Sequence, residues 1–167
     1  MLGLNFDDYV EVTSFSHHPF YQEFILEVPD NWSHDMSWNI AVNELVEIIE
    51  YSINNGYTVA WASDVSEKGF SWTNGVAVVP DAKRDVLSGT EREKWEKLTS
   101  KEKAAQLYSF DKPVKEVEVT QEMRQKEFDN FKTTDDHGML LTGIAKDQNG
   151  TIYFKVKNSW DAVGKYE

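Results

Sequence analysis

The chain has 167 residues, enough for one domain with a buried core, and its 40% hydrophobic, 13% aromatic and 28% charged content is that of a folded domain rather than a disordered or membrane-spanning chain. Twenty-nine acidic against seventeen basic residues give a formal charge of −12, which repels phosphate backbones and argues against nucleic acid as a partner. With no cysteine, disulfides, thiolate metal sites and a cysteine nucleophile are all excluded within this sequence.

Strand-like runs come first, Tyr9 to Phe15 and Phe24 to Val28, separated by the turn His17-His18-Pro19 and closed by Pro29-Asp30-Asn31. Val42, Leu45, Val46, Ile49 and Ile53 then recur at helical spacing as one buried stripe, with Glu44, Glu47 and Glu50 on the other side and Asn55-Gly56 as the stop. A buried strand is expected over Tyr57 to Ala62, a turn-rich loop over 64–75, and a short strand in Gly75-Val76-Ala77-Val78-Val79 ended by Pro80. Two capping boxes, Thr90 with Glu93 and Thr99 with Glu102, predict a charged helical hairpin over 91–108, within an insertion spanning about 88–120. Thr120 is placed to cap a helix from Gln121 to Phe131 with Met123, Phe128 and Phe131 buried. Met139 to Ala145 and Ile152 to Val156 form a β-hairpin turned by Asn149-Gly150. No repeat or low-complexity linker divides the chain, which reads as one α+β unit over 1–167.

Two side chains at the open end of that last hairpin carry the chemical interest. Antiparallel pairing centred on Asn149-Gly150 brings His137, before the first strand, near Asn158, after the second. A carboxamide on one ring nitrogen would set the imidazole's tautomer and leave the other nitrogen for proton transfer. Trp160, two residues on, could cover that bond. By spacing alone, a turn histidine and a surface amide stand ahead of a catalytic pair.

The segments His137-Gly138-Met139-Leu140-Leu141-Thr142-Gly143 and Lys157-Asn158-Ser159-Trp160 resemble the histidine and asparagine segments of papain-type cysteine peptidases. Stretches 4–21, 27–32 and 56–80 are similar to the bacterial branch related to bleomycin hydrolase and aminopeptidase C. The resemblance implies the β-rich lobe of that fold, a partly open antiparallel barrel with one long packed helix and helical insertions. It also implies His137 as catalytic base and acid, Asn158 as its orienter and Trp160 as the shield. The family's cysteine, at a helix N-terminus, and its oxyanion-stabilising glutamine lie upstream of the matching region and have no counterpart here. The expectation is therefore a cysteine-type peptidase represented by its His/Asn lobe, inactive alone and needing the nucleophile lobe as partner. Peptide would be the substrate, no cofactor would be used, and homo-oligomers would be possible as in hexameric relatives. A non-catalytic peptide- or partner-binding lobe is the alternative.

Asp161 stands where the family pattern has glycine, and the family's further strands are not found before Glu167. No basic-then-apolar leader and no spanning segment is read, so a cytoplasmic, membrane-free protein is expected. A metal site from His17, His18, His34, Asp30 or Asp35 is disfavoured because adjacent strand residues point to opposite faces. Asp135 and Asp136 are read as turn caps beside His137. Of Trp61, Phe70, Trp72 and Trp160, Phe70 and Trp72 best suit an exposed apolar patch.

Overall fold

The computed structural model describes residues 5–83, 87–134 and 136–160. Its first half contains strands β1 (Val12–Thr13), β2 (Gln22–Ile25) and β3 (Met36–Asn39), helix α1 (Val42–Asn54), and strands β4 (Val59–Ser63), β5 (Phe70–Ser71) and β6 (Val76–Ala77). Helices α2 (Gly89–Glu96), α3 (Ser100–Leu107) and α4 (Gln121–Asp129) come next, and then strands β7 (His137–Lys146) and β8 (Ile152–Lys157). The chain is thus mixed α+β. Its strands form sheets of order β1-β3-β2, β4-β7-β8 and β5-β6, and among the described residues they close no barrel.

In the first sheet β3 is central, parallel to β1 and antiparallel to β2. The sequence pattern predicts no strand there, and the cause is an inverted alternation. The buried members of β3 are Ser37 and Asn39, while Met36 and Trp38 face solvent. Asn39 is buried because its carboxamide ties the turn before β2. Its Oδ1 accepts from Phe15 N at 2.9 Å, and its Nδ2 donates to the carbonyls of Phe15, His18 and Pro19 at 2.9, 3.0 and 3.1 Å. Ser37 donates to the Glu11 carboxylate.

Helix α1 begins and ends where its periodicity predicts, with Gly56 taking φ +85° just beyond it. The predicted stripe is less covered than expected. Val42, Leu45, Ile49 and Ile53 are half-buried against β4 and β7, and Val46 is 42% exposed. Periodicity specifies which residues share a face, not how much lies against it. Thr120 caps α4 through Met123 N at 3.2 Å. The helix ends at Asp129, so Phe131 lies past the cap at φ +57° and is 86% exposed rather than buried. Phe128, half-buried with its ring 4.3 Å from that of Phe15, docks α4 together with polar side chains: Gln121 Oε1 accepts from Ser14 Oγ (3.0 Å) and Val42 N (2.9 Å), and Arg124 Nε donates to Ser14 O (2.7 Å).

In the helical pair α2–α3, Thr99 and Glu102 form the expected reciprocal cap. The Thr90 box does not form, because α2 starts two residues earlier than a Thr90 cap requires, at Gly89, and puts Thr90 inside its first turn. Trp95 and Leu107 are the buried members of the pair.

Within the segment expected to be loop, β5 forms and pairs antiparallel with β6, which lies in the expected short strand, around a short 3-10 turn, Trp72–Asn74. Val78 N–H donates to the Gly69 carbonyl at 3.0 Å, and a Cβ at Gly69 would meet Val78 O at 2.0 Å. Only glycine fits there. The expected strand over 57–62 appears as β4, but Ala60 and Ala62 are exposed, because β4 edges a three-stranded sheet and nothing described covers that face.

Tyr153 on β8 donates to Glu116 at 3.1 Å; burial, with the carboxylates of Glu116 and Asp147, pushes its phenol up to about 12, so it remains a donor at neutral pH. No described helix is long and apolar enough to cross a membrane.

Asn39→Ala is expected to lower unfolding stability by about 3 kcal/mol, because it strands several buried backbone groups, whereas Asn54→Ala on the exposed side of α1 should change it by less than about 0.5 kcal/mol. Urea titration of the two variants distinguishes these values.

Candidate active site

The β7–β8 hairpin turns through Asp147, whose Oδ1 accepts from Asn149 N (2.8 Å) and Thr151 N (2.9 Å), with Gly150 at φ +85°. The register starts as Lys146↔Ile152 and Gly143↔Lys155, centred on Asn149 rather than on the Asn149-Gly150 bond. Between Gly143 and Leu141 it shifts by one residue, so that Leu141 faces Val156 and Leu140 faces Lys157. The odd residue is Thr142.

This bulge decides which residues meet. Strand side chains alternate between faces, so a one-residue shift exchanges the faces of everything beyond it. Without the shift Asn158 would continue opposite Leu140, on the face away from His137. With it, Asn158 continues opposite Met139 and Trp160 opposite His137, all on one face.

There His137 Nε2 lies 2.7 Å from Asn158 Oδ1. The same oxygen accepts from the backbone N–H of Ser159 at 2.7 Å and of Trp160 at 3.4 Å. Those donors identify the amide oxygen, since a flipped amide would set N–H groups against N–H groups. His137 Nε2 must therefore carry a proton. In the neutral ring the lone pair is at Nδ1, which takes no hydrogen bond among the described residues. The ring is half-buried, and the bond to Asn158 fixes its plane with Nδ1 as the basic nitrogen of the neutral form.

Trp160 lies over the imidazole, with ring centroids 4.6 Å apart and planes at 33°. Its indole is met edge-on by Phe70 at 6.3 Å and Trp72 at 5.7 Å. The β5–β6 segment thus brings the predicted aromatic pair against the site, with Trp72 40% exposed and Phe70 half-buried. Trp61 does not join them; it pairs with Met139 in the β4–β7 ladder.

Ser63 faces His137 across β4 and β7, and its buried hydroxyl finds no partner among the described residues. Asp136 donates its N–H to Ser63 O (3.2 Å) and accepts Val65 N–H at Oδ1 (3.0 Å), a capping role like the one expected. Asp64 clamps the other side of the same turn. Its carboxylate accepts from Thr134 N (2.9 Å), Ser66 N (2.7 Å) and Ser66 Oγ (2.7 Å). Partial burial pushes Asp64 up, but these bonds outweigh it and hold its pKa below the ordinary aspartate range. Asp64 is not among the residues the sequence singles out. The Asp64-Val65-Ser66 spacing of an Asx turn was a signal for it.

Other candidates stay apart from this site. His17 and His18 lie in a turn, not a strand, and do not point to opposite faces: their rings sit 4.7 Å apart and both pack against Phe24. Nδ1 of His17 contacts the Gln125 carboxamide. Among the described residues no three His, Cys, Asp or Glu side chains gather to hold a metal ion. Asp135 and Asp161 lie outside the described residues. The chain matches no model of a known protein family and no curated protein sequence.

Inserting an alanine between Lys157 and Asn158 should carry the amide on to a position opposite Gly138, on the face away from His137, so the Nε2–H resonance of His137, observable in nitrogen-15 NMR of the unaltered chain, should be lost while the hairpin persists. A depressed folded-state pKa at Asp64 contributes stability that is present above the unfolded value and is lost as pH falls through the folded one. Amide-exchange protection at Thr134 and Ser66 should accordingly hold from neutrality into the mildly acidic range, collapse below the ordinary aspartate range, and lose that pH dependence in Asp64→Asn.

Proposed function

We propose that this chain supplies the proton-transfer half of a cysteine-type peptidase, in the papain-like branch that includes bleomycin hydrolase and aminopeptidase C. The observation that carries the reading is the 2.7 Å bond between His137 Nε2 and Asn158 Oδ1, which leaves Nδ1 as the free basic nitrogen beneath Trp160. The described strands and helices would then belong to the β-rich lobe of that fold, and the nucleophile would come from polypeptide outside this sequence.

In that role His137 Nδ1 takes the proton of a thiol, and the resulting imidazolium stands beside a thiolate. The thiolate attacks the peptide carbonyl. Nδ1 then returns the proton to the departing amine, and in the second half it removes one from the water that releases the acyl group. Asn158 keeps the ring in one plane through both transfers, since its Oδ1 accepts from Nε2–H in the neutral and the charged state alike. Trp160 excludes water that would compete for that acceptor.

The natural polypeptide carrying this sequence is expected to hydrolyse aminoacyl coumarylamides and to be blocked by iodoacetamide. His137→Ala should reduce kcat/KM by about 10³-fold, the usual scale for loss of a general base and acid. Asn158→Ala should cost less, about 10- to 100-fold, the worth of one hydrogen bond to a charged ring. Unchanged turnover in the histidine variant would sink the assignment, and peptide binding with no thiol-dependent turnover would leave the chain as a binding lobe.

A further inference from the structure

Three Asn-Gly bonds occur in the chain, Asn55-Gly56, Asn74-Gly75 and Asn149-Gly150. An asparagine in that position is chemically labile, because a glycine without a Cβ lets its backbone nitrogen approach the preceding carboxamide carbon. The fold holds the three unequally.

Their attacking nitrogens are engaged alike. Gly56 N donates to Ile53 O, Gly75 N to Trp72 O and Gly150 N to Asp147 O, each at 3.0 Å, and all three glycines have positive φ. The carboxamides differ. Nδ2 of Asn55 donates to Tyr51 O at 2.8 Å in the last turn of α1, and Nδ2 of Asn74 donates to Ser71 Oγ at 2.8 Å. Asn149 is anchored only through its backbone N–H, on Asp147 Oδ1 at 2.8 Å. Its side chain is exposed at the hairpin tip and makes no hydrogen bond among the described residues.

We propose that Asn149 is a site of spontaneous deamidation and that the fold protects the other two asparagines. Gly150 N, deprotonated by solvent base, forms a bond to Asn149 Cγ while the bond from Cγ to the side-chain nitrogen breaks. Ammonia leaves with a proton from water, and a five-membered succinimide closes. Water then opens either carbonyl of that ring, giving aspartate or isoaspartate at 149. The balance is asparagine plus water to acid plus ammonia, with no redox partner.

The product alters the turn it forms in. Isoaspartate carries the main chain through the former side-chain methylene, so the backbone lengthens between Asn149 N and Thr151 N, the two groups that Asp147 Oδ1 holds together. Both products add a carboxylate near that of Asp147, whose Oδ2 is already buried without a partner among the described residues. The rung next to the turn, Lys146↔Ile152, is the first to feel this. The inference does not depend on the peptidase reading.

Peptide mapping by mass spectrometry of the full chain, aged in mildly alkaline buffer, tests it. Conversion, seen as a gain of one mass unit, is expected to be about fivefold faster at Asn149 than at Asn55 or Asn74, the rate equivalent of one hydrogen bond that must first break. In urea the three rates should converge, since the dipeptide is the same. Ser71→Ala removes the acceptor of Asn74 and should accelerate conversion there by about the same factor while leaving Asn149 unchanged. In the aged protein, amide-exchange protection at Lys146 and Ile152 should fall. An intact Asn149, equal rates at the three bonds in the folded chain, or an unaltered rate at Asn74 in Ser71→Ala overturns the proposal, and unchanged protection in fully converted protein overturns its claim about the turn.

Discussion

The single residue of slippage at Thr142 is the constraint on which the site depends. Everything between the turn at Asp147 and Gly143 is paired in one register, everything from Leu141 outward in another, and the change falls just before the end that carries His137 and Asn158. A strand pair cannot move one member sideways by half a pleat; it can only shift by whole residues and exchange faces. Here that exchange sets an amide beside an imidazole. It also places Trp160 over the ring, so the bond and its cover arise from one backbone irregularity. The same irregularity leaves Met139 and Leu141 pointing into the protein, where they are the buried members of the hairpin.

The elements of the fold are joined in large part by polar side chains. The described apolar residues that are buried are few: Phe15, Phe24 and Ile40 near the first sheet, Trp95 and Leu107 in the helical pair, Met139 and Leu141 in the hairpin. Hydrogen-bonded side chains do much of the joining. Asn39 ties three carbonyls and an amide of one turn, Gln121 links α4 to Ser14 and to the start of α1, and Asp64 with Asp136 fixes the segments entering the site. Where the joining side chain is buried, as Asn39 is, its removal costs more than its bonds contribute, because its partners are stranded away from water.

That division explains which features the amino acids alone make legible. The extent of α1, the cap at Thr120, the reciprocal pair Thr99 and Glu102, and the two strands of the last hairpin were legible, because each is governed by residues within a few positions of one another. The meeting of His137 and Asn158 was legible too, since a hairpin turned near Asn149-Gly150 brings its own ends together. The bulge that makes the meeting productive was not, because Thr142 fits a regular strand equally well. Strand β3 was hidden by its inverted pattern of buried serine and asparagine beside exposed methionine and tryptophan. Phe131 misled for the opposite reason: its spacing matched α4, but the helix had already ended at Asp129.

The contact between Gly69 and the Val78 carbonyl has a consequence for how this chain can vary. Any side chain at position 69 would collide with main chain, which cannot swing aside as another side chain might. The stretch before it is tied as well, since Ser66 bonds Asp64 and the Glu67 carbonyl accepts from Phe70 N at 3.0 Å, so an insertion at 66–68 would pull on the first residue of β5. A library built to vary the aromatic wall should therefore randomise Phe70 and Trp72 and hold the glycine and the three residues before it constant.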